Sequence, residues 1–588
     1  MKLLDKLQHS LKGLLDAIAR YPLTTAFLLA AAVVNALAIE NAGYPNIMYN
    51  KLFVVFLVGA FLATVAQVGY ERFFKNMQKR LILFGAAGLL TAGYFFIVNS
   101  SPEIGVDILV RTVALVFALL IAFIWIPSIK SKVDFTQSFM AAFKGFFVSG
   151  FFSGVLFGGI SLILGAVDLL LFNVAGELYA HSANIVFTLF ASLYFLSLIP
   201  DYNVADEEKI ERAVSSSRFL EVLISNIIIP LASVFTVILI SYIALNIGGR
   251  FWEENLLEPM LVSYSIVTII ILTLAANLDN RFANLFKKIF PKILIPIVLF
   301  QVIASVMKIG DVGITHSRYY VIMYGVFAIA AGAVYSFLKP GKYGIVAIVL
   351  ICLSVVSTVP PIDAFSVSKR NQINTLINVL TRNDMLIDDE IIPRSDIDNQ
   401  DKRIIINTTS YIYRMNYTED VEWLPDSFVY YTDFEKIFGF KEYEIDGRGD
   451  YVSIVRNKSE ALDVSGYQAM TVIYFEDIKA RGTEPYEIDF AFGQQVYTIA
   501  FASDEEGDGR FYIEHQGNEE LTLWISQIVD SFGDIQTGSV EISTEEATFE
   551  VENNNLKMKV VINHLDRYET EDGYRWNGEA YVMLGFND

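Results

Sequence analysis

The stretch VDILVRTVALVFALLIAFIWIP occupies residues 106–127 and decides the fold of the chain around it. Its charged residues, Asp107 and Arg111, stand in the first two turns, and aliphatic and aromatic residues dominate the rest as far as Pro127. A helix of about 20 apolar residues rises about 30 Å, the thickness of the hydrocarbon core of a bilayer. The stretch therefore predicts a helix that spans a membrane.

Similar apolar runs fill the first 360 residues. We expect eleven spans, at residues 21–39, 52–70, 81–98, 106–127, 145–171, 182–199, 219–246, 259–277, 286–307, 319–337 and 342–359. The helices of a soluble core keep a polar face and do not follow one another at this length and hydrophobicity. The pattern therefore predicts a polytopic α-helical membrane bundle of about eleven spans.

The composition changes at residue 360. Residues 1–360 carry 25 Lys and Arg against 20 Asp and Glu, whereas residues 361–588 carry 19 against 45, a net charge of −26. We therefore expect a membrane domain followed by an acidic, water-soluble tail. An acidic balance of this size argues against a nucleic-acid partner, because phosphate binding needs clustered Lys and Arg.

The charges between the spans predict the orientation, because Lys and Arg accumulate on the cytoplasmic side. With the N-terminus in the cytoplasm, the cytoplasmic segments carry 20 Lys and Arg, and the opposite loops carry only Lys51, Arg250, Lys308 and Arg318. An odd number of spans then places everything after Val359 outside the cytoplasm.

Four regions follow from these patterns. Residues 1–20 lack the features of a cleavable signal peptide and predict an amphipathic interfacial helix, with leucines on one face and lysines on the other. Residues 21–359 form the membrane domain, 360–450 a helical connector, and 451–588 a β-rich extracytoplasmic domain of sandwich type.

The spacing of apolar residues supports a helical connector followed by a β-rich domain in the tail. Ile373, Leu376, Ile377 and Leu380 mark one face of a helix, and a second helix is expected over Ile404–Met415. From about Tyr451 the period becomes two. Strands are expected at Tyr467–Phe475, Gln495–Phe501, Arg510–Glu514 and Ala580–Leu584, with a hairpin turn at Asn553–Asn555 and one helix near Glu519–Asp530.

Catalytic signatures are absent from the sequence. It contains no Gly-x-Ser-x-Gly, His-Glu-x-x-His, phosphate-loop or dinucleotide-binding pattern, and its five histidines show no ligand spacing. The single Cys352 precludes a disulfide within the chain or a Cys-based metal site. We therefore predict no cofactor and no metal site, and an enzyme is disfavoured rather than excluded, because a site could still assemble in three dimensions.

One acidic run resembles a calcium loop. Residues 504–509 read DEEGDG, but the twelfth position, which should hold a bidentate Glu, is His515. A solvated hairpin turn is the favoured interpretation, and the surplus carboxylates of the tail could still attract divalent cations loosely.

Ionisable residues at membrane depth are candidate functional residues, because they are costly to bury there. Asp107 and Arg111 are spaced i, i+4 and can pair on one helix face, either as a self-neutralising pair or as part of a site. Asp168, near the end of the fifth span, either reaches the surface or faces a polar cavity. Pro230 and Pro296 lie within spans, where proline forms hinges but also occurs in purely structural bundles.

Four stretches carry a resemblance to a known family. They are RFLEVLISNIIIPL at 218–231, GITHSRYY at 313–320, FSVSKRNQ at 365–372 and LDVSGY at 462–467. Together they resemble the bacterial multi-pass proteins grouped as domain of unknown function 4153, from the first span to about Tyr467. The resemblance implies the cytoplasmic membrane of a bacterium, and it implies no activity, cofactor or catalytic residue.

The element around residue 315 also has a physical interpretation. Thr315 can cap the helix that follows, and Arg318 and Tyr319 stand where a span meets the interface, a usual place for an anchoring Arg and an aromatic residue. Anchoring is the first interpretation. The second is a contact of Arg318 with a carboxylate that joins the bundle to the tail.

Two classes of function remain. The first is a non-enzymatic envelope anchor, sensor or scaffold that presents the acidic domain, with the lipid bilayer and an envelope protein or small-molecule ligand as partners. The second is a transporter or lipid-handling permease with the tail as gate or capture domain. A polar cavity lined by spans four, five, seven and ten would favour transport, and a dry bundle would favour the first class. A membrane enzyme comes third.

Overall fold

The computed structural model of the chain describes residues 12–41, 46–74, 76–101, 104–202, 207–246, 257–425, 428–442, 449–457, 460–475, 486–493, 495–503, 508–532, 538–570 and 573–587. The chain divides into two units, of which the first comprises Met1–Glu390 and Ile404–Tyr430, and the second Ile391–Arg403 and Tyr431–Asp588. Residues 1–11 of the predicted N-terminal helix and residues 504–507 of the DEEGDG run lie outside the described residues.

The first unit is built from helices. They are α1 (12–20), α2 (Pro22–Glu40), α3 (Ile47–Phe73), α4 (Met77–Asn99), α5 (Val106–Trp125), α6 (Phe135–Leu170), α7 (Gly176–Ala183), α8 (Ala191–Leu198), α9 (Glu207–Val214), α10 (Arg218–Val222), α11 (Ile229–Asn246), α12 (Leu257–Ala275), α13 (Arg281–Met307), α14 (Ile309–Val312), α15 (His316–Phe337), α16 (Gly344–Val356) and α17 (Ala364–Arg382). Side chains cap several of their N-termini, among them Asn46, Asn76 and Asp134.

In the residues that the structure describes, ten of the eleven predicted spans are long helices and the eleventh is a shorter one. Ten helices in the described part of the chain are long and apolar enough to cross a membrane, and the last predicted segment, 342–359, forms the shorter apolar helix Pro340–Val356. Proline ends or starts helices because it cannot continue their hydrogen bonds, and Pro340 and Pro360 bound this segment. Its 17 residues rise about 25 Å, the lower limit for a span.

The short helix α16 nevertheless runs along α5 and α15 from end to end. At its start, Tyr343 lies 4.7 Å from Tyr335 near the end of α15, and a Cβ at Gly344 would lie 3.1 Å from Nε1 of Trp125, the last residue of α5. After its end, the carbonyl of Ser357 accepts a hydrogen bond at 3.4 Å from Tyr320 in the first turn of α15. Together with its adjoining turns, α16 therefore covers the length of two spanning helices.

Two helical segments contain π turns. Residues Asn184–Phe190 connect α7 to α8, and Leu223–Ile228 connect α10 to α11. The second lies directly before Pro230, which cannot donate to the carbonyl four residues earlier, so the turn widens there. Pro230 thus marks an irregular turn at the start of α11.

Close packing joins α13 to α15. A Cβ at Gly332 of α15 would lie 2.9 Å from Ile295 Cγ1 and 3.1 Å from the carbonyl oxygen of Pro291. Small residues let two helix backbones approach in a membrane, where contact between helices depends on dispersion rather than on exclusion of water. These helices, with α11 and α12, enclose the largest apolar core of the bundle.

Two short strands and two helices follow α17 in the chain: β1 (Leu386–Ile387), β2 (Glu390–Ile391), α18 (Asn399–Arg414), most of which belongs to the first unit, and α19 (Tyr430–Phe438). The second unit is rich in strands. Ten strands follow: β3 (Gly449–Arg456), β4 (Ala469–Phe475), β5 (Tyr486–Phe492), β6 (Gln495–Ser503), β7 (Gly509–His515), β8 (Asn518–Trp524), β9 (Gly538–Ile542), β10 (Thr548–Glu552), β11 (Leu556–Thr570) and β12 (Gly573–Phe586).

These strands form two sheets over one core. The six-stranded sheet has the order β4-β12-β11-β3-β9, with β10 paired to β11, and the four-stranded sheet has the order β5-β6-β7-β8. Among the described strands of these sheets, β3 and β9 pair in parallel and the other pairs are antiparallel. Phe475 of one sheet stacks on Phe501 of the other at 4.9 Å. The predicted β-rich, sandwich-like fold is confirmed, as is the hairpin at Asn553–Asn555, since Glu552 pairs with Lys557.

The helix predicted near Glu519–Asp530 is wrong over its first half. Residues 518–524 form β8, and α20 covers only Ile525–Ser531. Leu521 and Leu523 alternate with exposed or half-buried polar residues, and pairing with β7 buries both leucines. The alternation of buried and exposed side chains in this segment therefore decided its structure, rather than its local helix propensity.

Candidate functional site

The N-terminus of α17 is capped by Asp363, whose side chain is fully buried. Its Oδ1 accepts hydrogen bonds from the backbone N–H groups of Phe365 at 3.0 Å and Ser366 at 3.2 Å, and Oδ2 accepts from the Ser366 hydroxyl. A carboxylate at this position satisfies free N–H groups and faces the positive end of the helix dipole. The local sequence therefore favours a charged residue even though the position is buried.

Arg111 of α5 joins two carboxylates. Its Nη2 lies 2.7 Å from Asp363 Oδ1, and its Nη1 lies 3.6 Å from Asp107 Oδ2 on the previous turn. The guanidinium carbon also lies 5.3 Å from the ring centre of Phe365. The pair that the sequence spacing indicated is present, but the closer partner of Arg111 is 252 residues further along the chain.

The pKa of Asp363 reflects this surrounding. Burial by itself would raise the pKa of the carboxyl group, but hydrogen bonds from Ser366 and Arg111 outweigh burial and hold the pKa below its ordinary value. Asp363 is therefore ionised at neutral pH and forms a charged pair with Arg111.

A chain of hydrogen bonds connects α15, α17 and α18. The Ser368 hydroxyl donates to the carbonyl of Phe365 at 3.1 Å and accepts from the Tyr411 hydroxyl at 3.0 Å. The Tyr411 hydroxyl proton is donated to Ser368, so the Tyr411 hydroxyl oxygen can only accept further hydrogen bonds. It accepts from the backbone N–H of His316 at 3.1 Å and from Nδ1 of His316 at 2.9 Å. This order assigns the imidazole proton to Nδ1.

Aromatic stacking adds to the hydrogen bonds between α15 and α17. The imidazole of His316 stacks on Phe365, with 5.2 Å between ring centres. Burial raises the pKa of Tyr411, so its hydroxyl remains a proton donor at neutral pH. We refer to these residues together as the α17 cluster, which consists of Asp107, Arg111, His316, Asp363, Phe365, Ser366, Ser368 and Tyr411.

The predicted residues at the start of α15 lie beside this cluster. Thr315 accepts from the backbone N–H of Arg318 at 3.3 Å and so caps α15. Arg318 donates from Nη1 to the carbonyls of Lys308 at 3.0 Å and Gly313 at 3.3 Å. The hydroxyl of Tyr319 donates to the carbonyl of Ile362 at 2.7 Å. Arg318 thus ties the end of α13 to the start of α15, and Tyr319 reaches the segment before α17.

The connection before α15 also contacts α17. The N–H of Ile314 donates to Asn371 Oδ1 at 2.6 Å. Gly313 has φ +72°, and a Cβ there would lie 2.6 Å from Nε2 of Gln372. The backbone at Gly313 therefore approaches α17 as closely as only glycine permits.

Asp168 is not part of this group. It lies near the C-terminus of α6, exposed, and its Oδ1 accepts from the backbone N–H of Val174 at 2.6 Å. It closes the turn that follows the helix. Of the six candidate residues, the structure brings together Asp107 and Arg111, places Thr315, Arg318 and Tyr319 at the start of α15 next to His316 of the α17 cluster, and leaves Asp168 apart.

Polar side chains inside the bundle pair mainly with one another. Thr236 bonds Tyr264 at 3.0 Å, and Thr273 bonds Tyr335 at 2.6 Å. Gln301 of α13 and Ser153 of α6 are exceptions, because both are fully buried and their side-chain polar atoms have no partner among the described residues. These polar residues belong to α6, α11 and α15, which are the predicted spans five, seven and ten, and also to α12 and α13, which were not expected to line a transport cavity.

Two grooves on the bundle are lined mainly by apolar side chains. One of about 310 Å³ lies between α5, α15 and α16, next to the α17 cluster, and includes Phe117, Tyr320 and Leu353 in its lining. The other, of about 600 Å³, lies between α11 and α13. Within the described part of the chain, no group of three or more His, Cys, Asp or Glu side chains could hold a metal ion.

The sequence reasoning missed Asp363, Phe365 and Tyr411. An Asp directly before a new helical run is an N-cap signal, so Asp363 could have been recognised as a cap. Its pairing with Arg111 has no local signal, because the two residues belong to different helices.

Comparison with known proteins identifies the family. The sequence model described as Domain of unknown function (DUF4153) matches residues 25–388, more than half of the chain, including α3 to α17 and therefore Arg111, His316 and Asp363. The match ends before Leu462–Tyr467 and is thus shorter than the resemblance indicated. No curated protein and no solved structure matches the chain. This multi-pass membrane protein belongs to the family described as domain of unknown function 4153.

Proposed function

We propose that the protein is a membrane platform that presents its acidic, β-rich domain outside the cytoplasm, as a non-enzymatic anchor, sensor or scaffold of the bacterial envelope. The observation that carries this proposal is the α17 cluster. The segment after the last apolar helix is held to α5 and α15 by a buried charged pair, a hydrogen-bond chain and stacked rings. A fixed connection of this kind is what a platform for another domain requires.

The charge distribution supports the orientation. The alternation of basic residues predicts a cytoplasmic N-terminus. The path of α16 along α5 and α15 supports a crossing by this shorter helix, which makes the number of crossings odd. On this proposal the tail, with its net charge of −26, faces the extracytoplasmic space and meets an envelope protein or a small-molecule ligand there.

A transporter or lipid-handling permease is the second candidate, and Gln301 favours it. A buried amide without a hydrogen-bond partner is costly, and polar groups retained inside a membrane bundle often mark a transport path.

The two candidates separate in a complementation experiment. A deletion strain is profiled for envelope stress and solute sensitivity, and full-length variants are then supplied at protein levels matched by immunoblot. We expect Asp363→Asn to reproduce the envelope-stress profile of the deletion, because the charged pair that fixes α17 is lost. We expect Gln301→Leu to behave as wild type.

The matched control is Asp107→Asn, which neutralises the more distant carboxylate partner of Arg111. This variant should restore the wild-type phenotype. A deletion strain with only a solute phenotype, reproduced by Gln301→Leu and not by Asp363→Asn, would reject the platform proposal and favour transport.

A further inference from the structure

The groove between α11 and α13 combines an apolar lining with two lysines. Its volume is about 600 Å³, and Ile240 and Ile243 of α11 face Ile293 and Phe300 of α13 across it. Lys288 and Lys292 belong to the same lining and are exposed. An apolar groove with ammonium groups matches a molecule that has a long hydrocarbon part and an anionic head.

The two lysines are placed to act together. Spaced i, i+4 on α13, their Cβ atoms are about 5–6 Å apart on one helix face. In the described part of the chain, neither ammonium group makes an ion pair or a hydrogen bond with the protein. The neighbouring Lys287, in contrast, donates to the carbonyls of Ala276 at 3.3 Å and Leu278 at 2.6 Å. Lys287 therefore has a structural partner, and the lysines of the groove do not.

We propose that this groove binds an anionic phospholipid, with an acyl chain along the isoleucines and Phe300 and the phosphate between the ammonium groups of Lys288 and Lys292. Lysines near the end of a span extend toward the headgroup region, where lipid phosphates lie. Two adjacent positive charges without protein partners favour an anionic lipid over a zwitterionic one.

Pro296 in the lining adds a polar feature. Proline cannot donate the α-helical hydrogen bond to the residue four positions earlier, which is Lys292. The carbonyl of Lys292 is therefore available to a hydroxyl group of the lipid, which suits a glycerol headgroup. The proposal does not depend on the function proposed above, since a platform and a transporter could both hold this lipid.

The test uses full-length protein, purified in detergent and stripped of lipid, and native mass spectrometry to count bound molecules. Palmitoyl-oleoyl phosphatidylglycerol and phosphatidylcholine are titrated in turn. We expect wild type to prefer phosphatidylglycerol roughly 10- to 30-fold, the range for two lysines near a membrane surface. Lys288→Gln/Lys292→Gln should remove this preference.

The matched control is Lys339→Gln/Lys342→Gln, which removes two positive charges at exposed positions away from the groove. It should retain the preference. Thermal unfolding of both variants checks that they fold. An unchanged preference in Lys288→Gln/Lys292→Gln, or an equal loss in the control, would overturn the proposal.

The chain length of the lipid tests the apolar part of the groove. Dihexanoyl phosphatidylglycerol should bind at least tenfold more weakly than the palmitoyl-oleoyl lipid, because less hydrocarbon is buried. Inorganic phosphate should not compete. Equal binding of short and long lipids, or competition by phosphate, would mean that the lysines bind an anion without the groove and would reject the lipid site.

Discussion

At the scale of the residue, Asp363 combines two stabilising interactions in one carboxylate. It accepts the first N–H groups of α17, and it neutralises Arg111, whose side chain is only 24% exposed. The two interactions can be separated, because Asn is as good an N-cap residue as Asp but carries no charge.

We expect Asp363→Asn to lower the free energy of unfolding by about 2 kcal/mol, since Arg111 would keep only Asp107 as a partner and is not fully buried. Asp363→Ala should lose about 1 kcal/mol more through the cap. Denaturant unfolding in detergent measures both. Asp107→Asn serves as control and should change stability by less than about 1 kcal/mol. Equal losses at the two aspartates would contradict this assignment.

The same residue predicts a dependence on pH. Because the pKa of Asp363 is lowered in the folded protein, its stabilising contribution is complete above the unfolded pKa of about 4 and is lost as the pH falls through the folded value. The stability difference between wild type and Asp363→Asn should therefore be constant from pH 5 to 8 and shrink below about pH 4. A difference that grows on acidification would refute it.

At the scale of the element, the turn into α15 depends on Gly313. Its backbone, with φ +72° and ψ −174°, lies in a region that is open almost only to glycine. The turn lets Ile314 reach Asn371 and places α15 against α17. The turn before α15 and the first half of α17 are thus joined by the same few atoms.

We expect Gly313→Ala to destabilise the protein by about 2–3 kcal/mol, through backbone strain and the contact with Gln372. Gly310→Ala is the control, because a Cβ at Gly310 meets nothing within 4 Å. A lowered melting temperature for the first variant and none for the second is the expected result. Equal melting temperatures would show that α17 does not constrain this turn.

At the scale of the whole molecule, the orientation of the tail depends on whether α16 crosses the membrane. A crossing is proposed here from the antiparallel course of α16 beside α5 and α15 and from the distribution of Lys and Arg. An even number of crossings would leave the tail on the side of the N-terminus.

Cysteine labelling decides this point. In a Cys352→Ala background, Glu520→Cys in the β-rich domain should react with a membrane-impermeant maleimide in intact spheroplasts, because Glu520 is exposed and the proposed orientation places this domain outside the cytoplasm. Lys342→Cys, exposed before α16, should react only after lysis. The opposite pattern at the two positions would invert the proposed topology, and labelling of both sites in intact spheroplasts would show that α16 does not cross.

Much of the architecture was predictable from local patterns. Hydropathy located the ten long helices of the described part of the chain, and the alternation at Phe549–Ile562 located a hairpin. Both patterns are local, because the residues that a helix or strand buries on one face recur at a fixed spacing along the sequence. The errors came where local signals compete. The segment near Glu519 has good helix formers, but strand pairing with β7 decided its structure.

The sequence by itself determined that this chain enters a membrane many times and ends in an acidic β-rich domain. Hydrophobicity, charge and periodicity are properties of each sequence segment by itself, so they can be determined without knowing which segments are in contact. Only the tertiary structure decided that Arg111 pairs with Asp363 and that His316 stacks on Phe365. It also decided that α16, although short, runs alongside the longer helices α5 and α15. Those contacts join residues far apart in sequence, and their energy depends on distances that no single segment contains.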